Sequence, residues 1–331
     1  MEMTKWCMLL LLVLAASRSA AATPQYIIHD LGTFGGLAGR LNAINNSNVA
    51  VGSSYVEYVS YNAIYYSGGA WRVISEGVAS GINDAGVVVG TTPGTGGDGQ
   101  PWYWDGERHD YPGRRAVDIN NLGHIAGRGA GVPGSGSLWI DGVHHSLGTL
   151  GEGDIEVRAL NNNDQVVGTF IRDIPGTRAF LSQNGVMQDL GVLTGRSESQ
   201  AVGINDQGVV VGWSRNRGEF IEQVGFLYDG QMHELPFVPA GINNLGQIIG
   251  GGGVFDHGEL HPLPGLGGGV LWGGPLAIND NGWVVGYARS GASLQLPSHA
   301  VIWEPVPEPG GMAALGAMLV GFALAGRRLR A

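Results

Sequence analysis

The chain has 331 residues, 59 of them Gly, and a formal net charge of −10. Cys7 and Lys5 are its one cysteine and one lysine, so beyond the first ten residues disulfide frameworks and thiolate chemistry are excluded. Between residues 23 and 309, 13 Arg face 27 Asp and Glu, a net charge of −14 that disfavours nucleic acid and anionic membranes as partners.

Residues 1–22 read as a secretory signal. Lys5 gives the positive start, Met8 to Ala16 the apolar core, and Ala20, Ala21 and Ala22 a small-residue site for signal peptidase, with cleavage at Ala22. Nine apolar residues are far short of the ~20 that span a bilayer. Next comes a strand with no obvious neighbour, Tyr26 to Leu31.

A repeat then begins. It has Ile or Leu, then Asn, then Asn or Asp, and a Gly eight residues after the Ile or Leu. The seven copies run Ile44–Gly52, Ile82–Gly90, Ile119–Gly127, Leu160–Gly168, Ile204–Gly212, Ile242–Gly250 and Ile278–Gly286. An Asn at the first turn position bonds the backbone two residues on, and a three-residue hairpin loop wants positive φ at its third position. That position holds Gly86, Gly123, Gly208, Gly246 and Gly282, and otherwise Asn48 and Asp164, the residue types that tolerate positive φ best after Gly. The β-branched runs that follow, such as Val209 to Val211, suit buried strands. A second piece, an apolar-aromatic strand, a Gly turn and a strand ending near Leu, brings each unit to four strands, as in Gly225–Tyr228 followed by His233–Leu235. The spacing matches propeller blades of ~40 residues.

The last unit stops after its third strand, His299 to Trp303, and Tyr26 to Leu31 matches the missing fourth. The expectation is an all-β, seven-bladed propeller over residues 23–304, closed by the N-terminal strand so that no sheet edge is left open at the seam.

Several residues stand out along the chain. Tyr55, Tyr58 and Tyr61 are read in a connection between strands, where their rings offer stacking surfaces to a sugar or a protein. The residue before each Ile or Leu is small in six copies and is Asp118 in the third. Asp118 with Arg158, Asn42 and Ser80 offers a polar feature in the central channel; a local ion pair or solvated wall is the plainer reading. Asp84, Asp206 and Asp280 offer a calcium or sugar site, but four copies carry Asn there and no dense calcium-loop spacing exists. His29, His109, His145, His233 and His261 share one phase of the fourth strand. On separate, diverging blades they would not reach the ~2 Å ligand distance of one metal, so no metal or cofactor is expected. The Gly-rich pieces at Leu31 and Leu263 open no helix and read as crossings between blades. No nucleophile elbow or zinc motif is present. A glycosidase would need paired carboxylates ~5–10 Å apart, for which Asp118, Asp154 and Glu156 are the candidates.

At the other end, Pro307-Glu308-Pro309 precedes an apolar run, Met312 to Gly326, and then Arg327, Arg328 and Arg330. Fifteen helical residues make ~22 Å, short for a stable span. The Pro-Glu-Pro, short helix and arginine cluster of residues 305–331 resemble the bacterial PEP-CTERM sorting signal. That resemblance implies an exosortase-type enzyme as partner, transient inner-membrane anchoring through the helix, and exopolysaccharide in the surroundings. Over residues 25–304, Leu31-Gly32-Thr33-Phe34-Gly35-Gly36, Ala277-Ile278-Asn279-Asp280 and His299-Ala300 are similar to the HAF repeats of bacterial extracellular proteins. His299-Ala300-Val301 has Val for the Phe, and the resemblance carries no catalytic residue over. The expected function is a non-catalytic cell-surface or matrix protein that binds exopolysaccharide or another surface component. The alternative is a polysaccharide lyase or glycosidase on the same scaffold.

Overall fold

The structure is a computed structural model that describes residues 25–57, 60–94, 99–129, 135–171, 176–218, 222–268, 272–291 and 297–306. The expected signal segment, the C-terminal helix, and with them Ala22, Tyr58, Pro307, Glu308, Pro309, Arg327 and Arg328 lie outside the described residues. Tyr26–Glu304 forms one compact unit. Of the second unit, Met1–Gln25 with Pro305–Ala331, only Gln25, Pro305 and Val306 are described.

The described strands form seven four-stranded antiparallel sheets. Blade 1 runs in chain order through Ala38–Ile44, Ala50–Glu57, Ser60–Ser67 and Ala70–Glu76. Blades 2 to 6 repeat that order, starting at Val78–Ile82, Arg115–Ile119, Asp154–Leu160, Glu198–Ile204 and Pro239–Ile242. Blade 7 consists of Trp272–Ile278, Val284–Arg289 and His299–Val306, and its outer strand is Gln25–Asp30 from the other end of the chain. The protein is a seven-bladed β-propeller, closed by its N-terminal strand as the repeat phase predicts.

Each blade's first strand touches the first strand of the blades on either side, which makes it the innermost. The core divides into seven clusters, one at each junction between blades. At the junction of blades 1 and 2, Val49, Val51 and Ala63 meet Ala79, Ile82, Val88 and Trp102. The seam is packed like the rest: Leu41, Ile44, Ala50 and Ile64 of blade 1 meet Val285, Ala300 and Ile302 of blade 7. Outside the strands, Leu31–Gly36 and the piece around Leu263 are crossings between blades, the second with a single 3-10 turn, Leu266–Gly268.

The Gly that ends each repeat has a structural cause. Every first strand carries a β-bulge two residues before its Ile or Leu, at Asn42, Ser80, Val117, Arg158, Val202, Ala240 and Leu276. A bulge bends its strand and sharpens the local twist. It pushes a carbonyl against the facing residue of the second strand. A Cβ at Gly52, Gly90, Gly127, Gly168 or Gly212 would overlap the carbonyl oxygen of Arg40, Val78, Arg115, Glu156 or Gln200 respectively. In blades 2, 4 and 5 the cross-strand aromatic, Trp102, Phe180 or Phe226, each fully buried, crowds the same space as well.

Candidate functional site

The first two strands of each blade are joined by the asparagine turn. Its third loop residue has positive φ in all seven blades, from 78° to 84° at the five Gly and about 60° at Asn48 and Asp164. The first Asn, at Asn45, Asn83, Asn120, Asn161, Asn205, Asn243 or Asn279, is buried in every copy. Its Oδ1 accepts from the turn's own backbone: Asn45 Oδ1 takes the N–H groups of Ser47 and Val49 at 3.1 and 3.0 Å.

Its Nδ2 reaches across to the next blade. Asn45 donates to the Asn83 carbonyl, Asn83 to Asn120, Asn120 to Asn161, Asn161 to Asn205, Asn205 to Asn243, Asn243 to Asn279, and Asn279 back to Asn45, at 2.9 to 3.3 Å. A second ring lies beside the first. The N–H of Asn46 donates to Asp84 Oδ1, that of Asp84 to Asn121, and so on through Asn162, Asp206, Asn244 and Asp280 to Asn46, at 2.8 to 2.9 Å. The two rings surround a polar cavity of about 180 Å³ at this end of the molecule. No two of Asp84, Asp206 and Asp280 are neighbours, and three is the largest number of acids that a ring of seven admits without a like-charged pair side by side. The Asp84 oxygens accept from Asn46 and Asn121, and those of Asp206 and Asp280 from the neighbouring turns. These carboxylates serve the joins between blades.

Asp118 also serves a join. One carboxylate oxygen accepts from the Ile119 N–H at 2.9 Å and the other from the Leu160 N–H of blade 4 at 3.0 Å. A Cβ on Gly81 would lie 3.0 Å from its Oδ1, so the missing side chain makes the room. Burial pushes the Asp118 carboxyl up to about 6, against the opposing pull of its two N–H donors. Asp118, Arg158, Asn42 and Ser80 do not bond one another, and for Arg158 the plainer reading of a local ion pair applies. Arg158 is exposed and pairs with Glu156 at 3.0 Å. Asn42 donates to the Ala79 carbonyl at 2.7 Å and Ser80 to the Ala116 carbonyl at 3.0 Å, each crossing to the next blade. The bulge turns these three side chains to separate tasks. Glu156 is thereby already engaged by Arg158.

The tyrosines lie at the opposite end of blade 1, at the far end of its second strand from the turn. Tyr55 and Tyr61 belong to the second and third strands, not to a connection as the sequence suggests, and they face each other across the hairpin. Their ring centroids are 5.3 Å apart at an interplanar angle of 49°, within the range for a favourable aromatic pair. Together with Ala38, Gly39, Arg40, Ser53 and Ser298 they line a cavity of about 330 Å³ at the blade 7–blade 1 seam. Gly39 donates its N–H to the Ser298 carbonyl at 2.7 Å, which holds the two blades together there. Arg40 donates from Nε to Asn42 Oδ1 at 2.6 Å. The side chain keeps solvent access, yet the protein packed around it draws its pKa below the usual arginine value, with Tyr287 and Tyr61 opposing. Arg40, Ser53 and Ser298 carry no repeat signature, and local sequence holds no signal for them.

A further hollow of about 270 Å³ between blades 2 and 3 is lined by Tyr103, Tyr111 and Trp139 with Asp105 and Asp141, and by no cation among the described residues. The Glu107 N–H and then His109 hold the Asp105 carboxyl below its usual range. The five phase-matched histidines sit on five outer strands: His109 and His233 pair with Asp105 and Asp229, and His29 pairs with Glu304. His261 is buried and His145 lines a hollow between blades 3 and 4.

No family model matches the chain, and no curated protein does. Among solved structures, the β-propeller domain of the Trilobed protease from Pyrococcus furiosus, described as having an open velcro topology, is similar at a TM-score of 0.51 and 10% identity, over 81% of this chain and 98% of that one. The Aleuria aurantia lectin, solved as a mutant with Fucα1-6GlcNAc, gives a TM-score of 0.39 at 11% identity, over 86% and 96%. The first likeness bears on the fold alone, and the second carries no argument.

Proposed function

We propose that this protein is exported and acts without catalysis at the cell surface or in the extracellular matrix. On this reading it binds exopolysaccharide or another surface component through the seam cavity. The observation that carries the proposal is the cavity itself. Ligand pockets combine apolar and aromatic walls with a few fixed polar groups, in volumes of ~300–1,000 Å³. Two paired tyrosines, two serines and an arginine around about 330 Å³ answer to that description. Support for export comes from the sequence: Lys5 and the Met8–Ala16 run at one end, Pro307-Glu308-Pro309 with the apolar run and arginines at the other.

The test is to incubate the purified protein with the producer's own polysaccharide and follow both retention and chain length. Retention without shortening supports binding. Shortening would move the assignment to the lyase or glycosidase class. Mass spectrometry of protein recovered from the medium checks processing: residues 1–22 and the terminal arginines are expected to be missing, and an intact C-terminus would remove the sorting proposal.

A further inference from the structure

We propose that the seam cavity selects a carboxylate-bearing sugar, a uronic acid unit, and that Arg40 is the residue that selects it. The inference rests on the binding reading above and names its ligand class.

Arg40 differs from five other arginines in what it meets, though among the described residues it shares the lack of a carboxylate with Arg72, whose guanidinium lies over the Tyr65 and Trp104 rings. Arg108, Arg158, Arg178, Arg196 and Arg215 each face a carboxylate of this chain. Among the described residues Arg40 faces none; its one hydrogen-bond partner is the neutral Asn42. Asn42 is itself fixed by its bond to the Ala79 carbonyl of blade 2. The Nε bond therefore orients the guanidinium from behind, and among the described residues no hydrogen-bond partner engages the terminal nitrogens of the fork beside the cavity. A planar fork with two free N–H groups is matched to a carboxylate, which it takes bidentately.

The rest of the wall favours a sugar over other carboxylates. Tyr55 and Tyr61 supply aromatic rings and phenol groups, and Ser53 and Ser298 line the same space. Such a mixture suits a ring that is apolar on its faces and hydroxylated at its edge. Charge sets a further limit. A chain with −14 between residues 23 and 309 repels a uniform polyanion. The ligand is then an isolated acidic unit or end group in an otherwise uncharged glycan, which also fits a cavity at the small end of the range for ligand pockets.

The test is calorimetric titration of the purified protein with three probes: methyl glucuronide, methyl glucoside, and N-acetylalanine as a peptide-type carboxylate. The glucuronide is expected to bind at least ~10-fold more tightly than the glucoside, the scale of a charge-assisted hydrogen bond. Arg40→Met, which keeps the aliphatic stem, is expected to remove that difference, and Tyr61→Ala to weaken both sugars alike. Thermal melts of each variant separate loss of binding from loss of fold, with Arg40→Lys as the milder replacement. Equal binding of glucuronide and glucoside, both lost in Tyr61→Ala, would overturn the acid selectivity and leave sugar binding standing. Binding of N-acetylalanine in place of either sugar would overturn the sugar class. Binding of none of the three by a folded protein would overturn both this proposal and the cavity as the binding site.

Discussion

At Asn83 the side-chain oxygen accepts from the Val87 N–H at 2.9 Å while the nitrogen donates to the Asn120 carbonyl of blade 3 at 3.1 Å. Asp fills the first role as well as Asn does in an isolated turn. It cannot fill the second while ionised. Asn83→Ala is expected to cost ~1–3 kcal/mol by orphaning buried groups. Asn83→Asp is expected to cost more at neutral pH, because it sets an unpaired charge against a carbonyl, and to recover on acidification when the acid regains a donor. A melt of both variants at pH 7 in which Asp outperforms Ala would contradict the donor role. The chain carries this signal openly: the first turn position is Asn in all seven copies, whereas the second alternates between Asn and Asp, both of which supply the acceptor needed there. A turn alone does not demand that distinction, so the repeat shows the hairpin directly and the ring only through what it never substitutes. Asp118 gives a second prediction. Its folded value of about 6 lies above the ~3.9 of an unfolded Asp, so the native state holds the proton more tightly. Its contribution to stability is therefore most favourable below about pH 4 and is lost as pH rises through about 6. Melting temperatures of wild type and Asp118→Asn from pH 4 to 7.5 are expected to converge in slope above pH 6 and diverge below it. Parallel curves throughout would refute the assignment.

Among elements, the bulged first strand paired with a glycine-bearing second strand is the unit that repeats. Gly212 faces the bulge of blade 5, and a Cβ there would overlap the Gln200 carbonyl and come within 2.6 Å of Phe226 Cζ. Gly212→Ala is expected to destabilise by ~1–3 kcal/mol, the usual cost of overpacking. Gly274→Ala, with nothing within 4 Å of the new methyl, serves as the control and is expected to leave the melting temperature unchanged or slightly raised. Similar effects at both positions would detach the repeat's glycine from the bulge. The glycine is plain in the sequence, but the bulge that explains it is not, since its residues range from Asn42 to Val117 to Leu276 and share no side-chain chemistry. The seam cavity was half legible for a related reason. Tyr55 and Tyr61 stand close together in the chain, whereas Arg40 lies on an inner strand and Ser298 enters from blade 7. Only the closed ring brings those four together.

For the whole molecule, the six residues of Gln25–Asp30 complete the last blade. Tyr26 is buried in the cluster between blades 6 and 7, and the outer strand is tied to its neighbour by His29 to Glu304 at 2.8 Å and Asp30 to His299 at 2.9 Å. Removing residues 25–30 is expected to cost at least ~3 kcal/mol through Tyr26 alone, read as a lowered melting temperature; an unchanged melt would show that the ring does not depend on this strand. Sequence phase reveals this join because one orphan strand at the start answers one missing strand at the end. The same join fixes an order of events during synthesis. Of the described strands, Gln25–Asp30 is made first and its partner, His299–Val306, is made last. Holding the two ends apart for so long adds little to the entropy of closing the loop, which grows only with the logarithm of its length, but it makes this pairing the most non-local and so the slowest to find. A chain interrupted anywhere before the seventh blade retains its first strand with nothing to receive it. The ring therefore acts as a proof of completeness: only a polypeptide translated through its final strand can conceal both ends of its sheet, and any shorter product keeps an open edge for a protease or another chain to engage.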